Sequence, residues 1–198
     1  MNRGMFIVFE GLDGAGTTTQ SNMLKSRFEN EGIKTLHTWE PSENKIGLLI
    51  RSFLKKEVSF EEKSAALLFA ADRMEHINKV IEPALKDGVN VICDRYVLSS
   101  YAYQSVFICG DFTEEINKYH LAPDITFLID LDADVSLNRK GEEESEHYEE
   151  LVFQQKVRKN YLSYALKYEK THNIKMINGT LTPGDVHHAV YDEVSKLL

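Results

Sequence analysis

The segment that most restricts how this chain can fold is GLDGAGTTTQ, residues 11–20. It follows the apolar run MFIVFE at 5–10 and runs straight into a helical pattern over 17–30 that Gly32 stops. A buried strand, a glycine-rich turn and a helix in immediate succession leave the backbone few arrangements. Gly11 and Gly16 stand at the spacing of GxxxxGK[ST], which lets the chain curl so that several N–H groups converge on phosphate oxygens at a helix N-terminus. Thr18 falls where a hydroxyl usually meets magnesium, whereas Thr17 stands where that pattern has a lysine. Taken alone, the loop fits either a nucleotide site or a plain turn.

Elsewhere short apolar runs alternate with helical patterns, the signature of βα units and a mainly parallel sheet covered on both faces. Further strands are predicted at 34–38, 89–94, 125–131 and 175–178. Helices are predicted over about 61–87, 97–107 and 182–198. In the long one Leu68, Ala71, Ile77, Ile81 and Leu85 are candidate core residues, and Pro83 is expected to kink it. In IGLLIRSFLKK, residues 46–56, Ile46, Leu49, Ile50, Phe53 and Leu54 share one helical face, expected to enter the core. The stretch KGEEESEHYEE, 140–150, has no apolar periodicity and is expected to be a mobile loop between two helices. There is no internal repeat. At 198 residues the chain is expected to form one domain, 1–198.

The formal net charge of −8 argues against a broad cationic surface for nucleic acid or acidic membranes, so phosphate-binding charge has to be local. Cys93 and Cys109 form no CxxC pair, which suggests neither a disulfide framework nor a zinc site and fits a reducing cytoplasm. The apolar runs are too short to span a bilayer, and the first of them enters the glycine loop rather than a cleavage site.

Several blocks beyond the loop occur in a telling order: WEP at 39–41, IR at 50–51, LLFAADRMEH at 67–76, DRYVLSSYAYQ at 94–104 and PDITFLIDLDADVSLNR at 123–139. Together they resemble the thymidylate kinase family from about Phe6 to the C-terminus. The resemblance implies an α/β P-loop NTPase fold of three layers (α/β/α) with a short lid at about 140–150. It also implies magnesium-dependent transfer of the γ-phosphoryl group of ATP to dTMP, in a cytoplasmic homodimer with no nucleic-acid or membrane partner.

The site residues follow from the same resemblance. Gly11, Leu12, Asp13, Gly14, Ala15, Gly16, Thr17, Thr18 and Thr19, with Arg139, are expected to bind ATP, and Thr18 and Asp94 to hold the metal. Asp13, Arg95, Arg139 and Lys140 are expected to be catalytic. The acceptor is expected to meet Arg51 and Arg95, whose fork geometry suits a phosphate, and Phe69 and Arg73, which share a helix face as stacking ring and donor to the base O4. Asp13 resembles the residue that binds the 3′-hydroxyl and Tyr103 the ring that crowds out a 2′-hydroxyl. Glu40, Ser99 and Gln104 complete the acceptor set.

The chain departs from the family pattern where positive charge is expected. Thr17 replaces the loop lysine, Gly14 stands where one branch has an arginine, and Trp39 replaces the arginine of an REP segment. Glu146, His147, Tyr148 and Glu149 stand where another branch carries a lid arginine. A single transition-state arginine is worth about 10³ to 10⁵ in rate. Arg139, Lys140, Arg158, Lys159 and Arg95 are the substitutes on offer. Two readings therefore stay open, an active kinase and a nucleotide-binding protein with vestigial catalysis. An acceptor such as dUMP or GMP also stays open, since a methyl group supplies only about 1–3 kcal/mol of discrimination. The surface around Leu49, Phe53, Leu68 and Ala71 suits a dimer face or a core equally.

Overall fold

The computed structural model describes residues 3–140 and 147–198. Five strands, β1 (Phe6–Gly11), β2 (Thr35–Trp39), β3 (Asn90–Asp94), β4 (Ile125–Asp130) and β5 (Ile174–Asn178), form one sheet in the order β2-β3-β1-β4-β5. Every pairing is parallel. The sheet thus has the expected α/β character, and all its strands end on one edge. Strand β1 is buried along its whole length because it has neighbours on both sides and helices over both faces. Phe9 packs on Phe127 at 5.4 Å, and Phe6 meets the Tyr96 ring edge-on at 5.0 Å.

Between the strands run α1 (Thr17–Asn30), α2 (Lys45–Leu54), α3 (Glu62–His76), α4 (Glu82–Lys86), α5 (Val97–Tyr103), α6 (Gly110–Asn117), α7 (Ala133–Lys140) and α8 (His147–Tyr168), and α9 (Pro183–Val194) follows β5. The helix expected over 97–107 is α5 plus a 3₁₀ turn, Gln104–Val106, and α6 is an element the periodicity did not reveal. Of the stretch expected to be a loop, residue 140 closes α7 and residues 147–150 open α8. Residues 141–146, and with them the centre of the expected lid, lie outside the described residues. Among the described residues no helix is long and apolar enough to cross a membrane.

Two expectations about helix faces are corrected. On α2 only Gly47 and Ile50 are buried, while Leu48, Leu49 and Leu54 are exposed. This helix packs mainly on α3 rather than on the sheet, with Gly47 so close to the Ser42 carbonyl that a Cβ there would meet it at 2.1 Å. On α3 the inward face consists of Ala65, Ala66, Ala70, Asp72, Arg73 and His76, with Leu68 half-buried and Ala71 exposed. That face looks onto a polar network, so its residues are small or charged. Ile77, Ile81 and Leu85 do enter the core. Just before Pro83 the helix contains a π turn, Ile77–Ile81, an irregularity of the kind that accommodates a proline's missing N–H and ring.

A histidine pair ties the turn between α8 and β5 to the end of α6, with His172 buried and His120 half-buried. The His120 Nδ1 lies 2.8 Å from the Asn117 carbonyl and therefore carries its hydrogen. Its Nε2 then accepts from His172 Nε2 at 2.8 Å, which leaves His172 Nδ1 buried with no partner. Burial, reinforced by the neighbouring His120, lowers the His172 pKa from 6.5 to about 4. The unfolded chain then binds a proton that the folded chain refuses, so stability is full above about pH 6.5 and falls as pH drops towards 4. The loss expected across that window is about 3 kcal/mol at most. Urea unfolding at pH 7 and pH 4.5 should show it, and His172→Gln should flatten the difference; an unchanged pH dependence in that variant would rule out this origin.

Candidate active site

The site is assembled at the carboxyl ends of β1 and β3. Their register pairs Phe9 with Asp94, which puts the glycine loop after β1 beside the residues after β3. Arg95 turns the chain at φ 68, a left-handed conformation costing about 1–2 kcal/mol for a residue with a side chain. Its N–H is fixed on the Phe9 carbonyl at 2.8 Å. The guanidinium Nη2 meets Asp13 Oδ1 at 2.6 Å, and Nη1 meets the Gly11 carbonyl at 3.0 Å and the hydroxyls of Ser99 and Tyr161 at 3.3 Å each. Burial opposes its charge, but Tyr103, Tyr161, Asp13 and Glu10 more than offset this, and the Arg95 pKa stands well above its ordinary value.

A second arginine lies deeper. Arg73, on α3, is almost wholly buried; its Nε donates to Glu40 Oε2 at 2.9 Å, and its Nη atoms donate to Asn117 Oδ1, to the Tyr96 carbonyl at 3.1 Å and to Ser100 Oγ at 2.9 Å. Glu40 also faces His76 Nδ1 at 3.2 Å, and His76 Nε2 meets Thr38 Oγ1 at 2.7 Å. This chain spans β2, α3, α5 and α6.

Above these groups opens a cavity of about 380 Å³. Asp13, Glu40, Phe69, Arg73 and Arg95 line it, as do Ser99, Tyr103 and Gln104 on α5 and the turn after it. Eight of the nine expected acceptor residues thus come together. Arg51 is not among the lining residues: its Nη2 is held on the carbonyls of Pro41 and Ser42, and its Nε is buried with no partner. Chiefly through burial, the Tyr103 hydroxyl is pushed up to about 12 and stays protonated. Phe53 from α2, Phe107 and Phe153 form the cavity's apolar mouth, and none of them was expected there.

A second cavity, about 340 Å³, lies on the other side of the glycine loop, lined by Gly14, Ala15, Gly16, Thr19 and Arg139 with Gly179, Leu181 and Pro183. Gly14 and Gly16 have φ 83 and 99. At Gly14 a Cβ would stand 2.5 Å from the Ser136 carbonyl, so α7 packs where a loop arginine would need room. Arg139 donates to the Gly179 carbonyl at 3.1 Å. Of the expected ATP set, Gly11, Leu12, Asp13, Thr17 and Thr18 are not among the residues lining this cavity, and Leu12 and Thr17 are buried. The side chain of Lys140 lies outside the described residues.

Thr18 Oγ1 donates to Asp94 Oδ2 at 2.5 Å, and Asp94 Oδ1 is buried with no partner. A hydroxyl and an unsatisfied carboxylate oxygen at the mouth of a phosphate loop fit magnesium, which takes one or two protein oxygens and fills its octahedron with phosphate and water. Among the described residues no cluster of three or more His, Cys, Asp or Glu offers an all-protein metal cage.

The sequence model described as Thymidylate kinase matches residues 9–190. The chain belongs to the thymidylate kinase family. A "Probable thymidylate kinase" of Pyrococcus abyssi is 39% identical over 95% of this chain and 94% of its own length. One from Pyrococcus horikoshii is 40% identical over 93% of each, and one from Methanocaldococcus jannaschii 43% identical over 83% of each. The family's activity, ATP-dependent phosphorylation of dTMP to dTDP, is therefore the activity of this chain.

Sequence reasoning missed Glu10, Asn117, Ser100 and Tyr161. Glu10 alone carried a signal, a carboxylate inside an otherwise apolar strand. The Glu40 and Arg73 pair is the most exposed to a single change. Replacing Arg73 by methionine leaves Glu40 buried without its main partner and is expected to cost about 3–5 kcal/mol. Urea unfolding measures this, and a loss below about 1 kcal/mol would mean that Glu40 is satisfied by other groups.

Proposed function

We propose that the two cavities divide the reaction, the wider one holding dTMP and the narrower one ATP, with Arg95 between them. The observation that supports this most directly is the Arg95 guanidinium, gripped by the glycine loop through Gly11 and Asp13 while it lines the wider cavity. An arginine so placed contacts the acceptor phosphate and the transferring group together, where little covalent chemistry is required and positioning with charge stabilisation does most of the catalysis. Phe69 stacks on the base, Arg73 donates to its O4, Asp13 accepts from the 3′-hydroxyl and Tyr103 fills the space of a 2′-hydroxyl. Ser99 and Gln104 bound the base side, and Arg51 turns from the Pro41 and Ser42 carbonyls to the acceptor phosphate.

Thr18 and Asp94 hold magnesium, which when bound offsets the negative charge of the donor phosphates. The N–H groups of the loop, residues 11–19, cradle those phosphates at the start of α1. Arg139 and Lys140 at the end of α7 supply the charge that Thr17 lacks. The whole chain works as one domain with the lid at about 140–150. It works in the cytoplasm as a homodimer, for which the apolar residues exposed on α2 and α3, Leu48, Leu49, Leu67 and Met74, are the surface on offer.

A coupled assay of dTMP, dUMP and GMP with ATP and magnesium tests the reading. dTMP is expected to turn over best, Thr17→Lys to raise turnover, and Arg139→Ala with Lys140→Ala to lower it by about 10³-fold or more, as for a lost transition-state cation. Unchanged turnover in the double variant would refute the role given to α7. Absence of dTDP formation in the parent chain would leave a nucleotide-binding protein only.

A further inference from the structure

Glu10 is the penultimate residue of β1 and is wholly buried, yet nothing in the reaction described above uses it. Its Oε1 accepts from the backbone N–H of Tyr96 at 2.9 Å and of Ser99 at 3.2 Å. Its Oε2 accepts from Ser99 Oγ at 2.6 Å and from the Tyr161 hydroxyl at 3.2 Å. One carboxylate therefore gathers the first turn of α5 and the middle of α8 onto the central strand. The two hydroxyls also touch each other at 2.8 Å, and both lie 3.3 Å from Arg95 Nη1.

The hydrogens in this cluster are fixed by counting. A carboxylate only accepts, and a guanidinium only donates. Each hydroxyl has a single hydrogen: that of Ser99 goes to Glu10 Oε2 at 2.6 Å, and that of Tyr161 is shared between Glu10 Oε2 at 3.2 Å and Ser99 Oγ at 2.8 Å, so neither is turned towards Arg95. Both oxygens then present lone pairs to Arg95 Nη1, whose two hydrogens are divided among them and the Gly11 carbonyl. We infer that Glu10 is a positioning residue for phosphoryl transfer: it polarises Ser99 and Tyr161 so that they grip one edge of the Arg95 guanidinium and hold the other edge at the phosphate loop. An amide at position 10 reverses the arrangement. Its NH₂ donates to the hydroxyls, which turn their hydrogens towards Arg95 and release it. Burial raises the Glu10 pKa, and the hydrogen bonds from Ser99 and the charge of Arg95 oppose that rise.

The inference rests on the placing of Arg95 at the reacting phosphates, and the experiment separates the two. Steady-state kinetics of Glu10→Gln, Tyr161→Phe, the pair combined and Arg95→Lys are compared, with melting temperatures. Glu10→Gln is expected to lower kcat by about tenfold to a hundredfold, the scale of a sub-ångström to ångström misplacement. KM for ATP and the melting temperature should stay close to those of the parent. Tyr161→Phe should lose less, and the pair should lose less than the product of the single effects, because both changes act through one guanidinium. Multiplicative losses, a Glu10→Gln kcat within about twofold of the parent, or a loss matched by the unfolded fraction would each overturn the positioning role. Arg95→Lys with undiminished kcat would overturn the placing of Arg95 itself, because lysine cannot reproduce the fork.

Discussion

Strand β1 pairs with β3 on one side and β4 on the other, and this register brings together what the sequence keeps far apart. Phe9 opposite Asp94 and Gly11 opposite Ile129 put the phosphate loop, the two residues after β3 and the start of α7 within reach of each other. A slip of one residue would send Glu10 to the opposite face of the sheet. The carboxylate that gathers Tyr96, Ser99 and Tyr161 would then be lost from the cluster, and Arg95 would lose its support. In open parallel sheets, ligands sit beyond the carboxyl ends of strands, where the connections diverge. Here the path out from β1 to β2, back to β3 and across to β4 creates that divergence.

The chain carries a net charge of −8 and still has to receive phosphates. Its solution is to keep cations in small enclosed sets with their own carboxylates. Arg73 lies against Glu40, and Arg95 lies against Asp13 near Glu10. Each arginine is thereby kept charged under burial that would otherwise discourage it. These partners also fix orientation, since a planar guanidinium held on four oxygens, as each of these is, has little freedom left. On the other cavity, Gly14 at φ 83 lies so close to the Ser136 carbonyl that α7 occupies the space a side chain there would need.

What could be read from the sequence divides along a physical line. Local signals carried far: the glycine loop, the alternation of strands and helices, and the order of blocks around Asp94 and Arg95 led to the parallel sheet and to an acceptor set of nine residues, eight of which line the wider cavity. The faces of α2 and α3 did not follow from periodicity. Helical spacing shows which residues share a face, but the tertiary structure decides whether that face meets a sheet, a cavity or solvent. Leu49 is exposed and Leu54 lines the wider cavity, while Asp72 and Arg73 look in because their partners Ser42 and Glu40 lie there. Tyr161 was not legible either, because its partner Glu10 is 151 residues away and no local pattern marks such a meeting.

The π turn at Ile77–Ile81 has a consequence for how one rod of helix serves two media. Arg73, Ile77, Ile81 and Leu85 are spaced by four, which in a regular α-helix drifts by about 40° at each step. Three such steps would carry the last residue roughly a third of the way around. The wider turn absorbs that drift, so the side that offers a guanidinium to the cleft offers isoleucine and leucine to the sheet one turn later. It works as a phase shifter, and it lets a stretch read as one amphipathic helix hold a polar address at one end and an apolar one at the other.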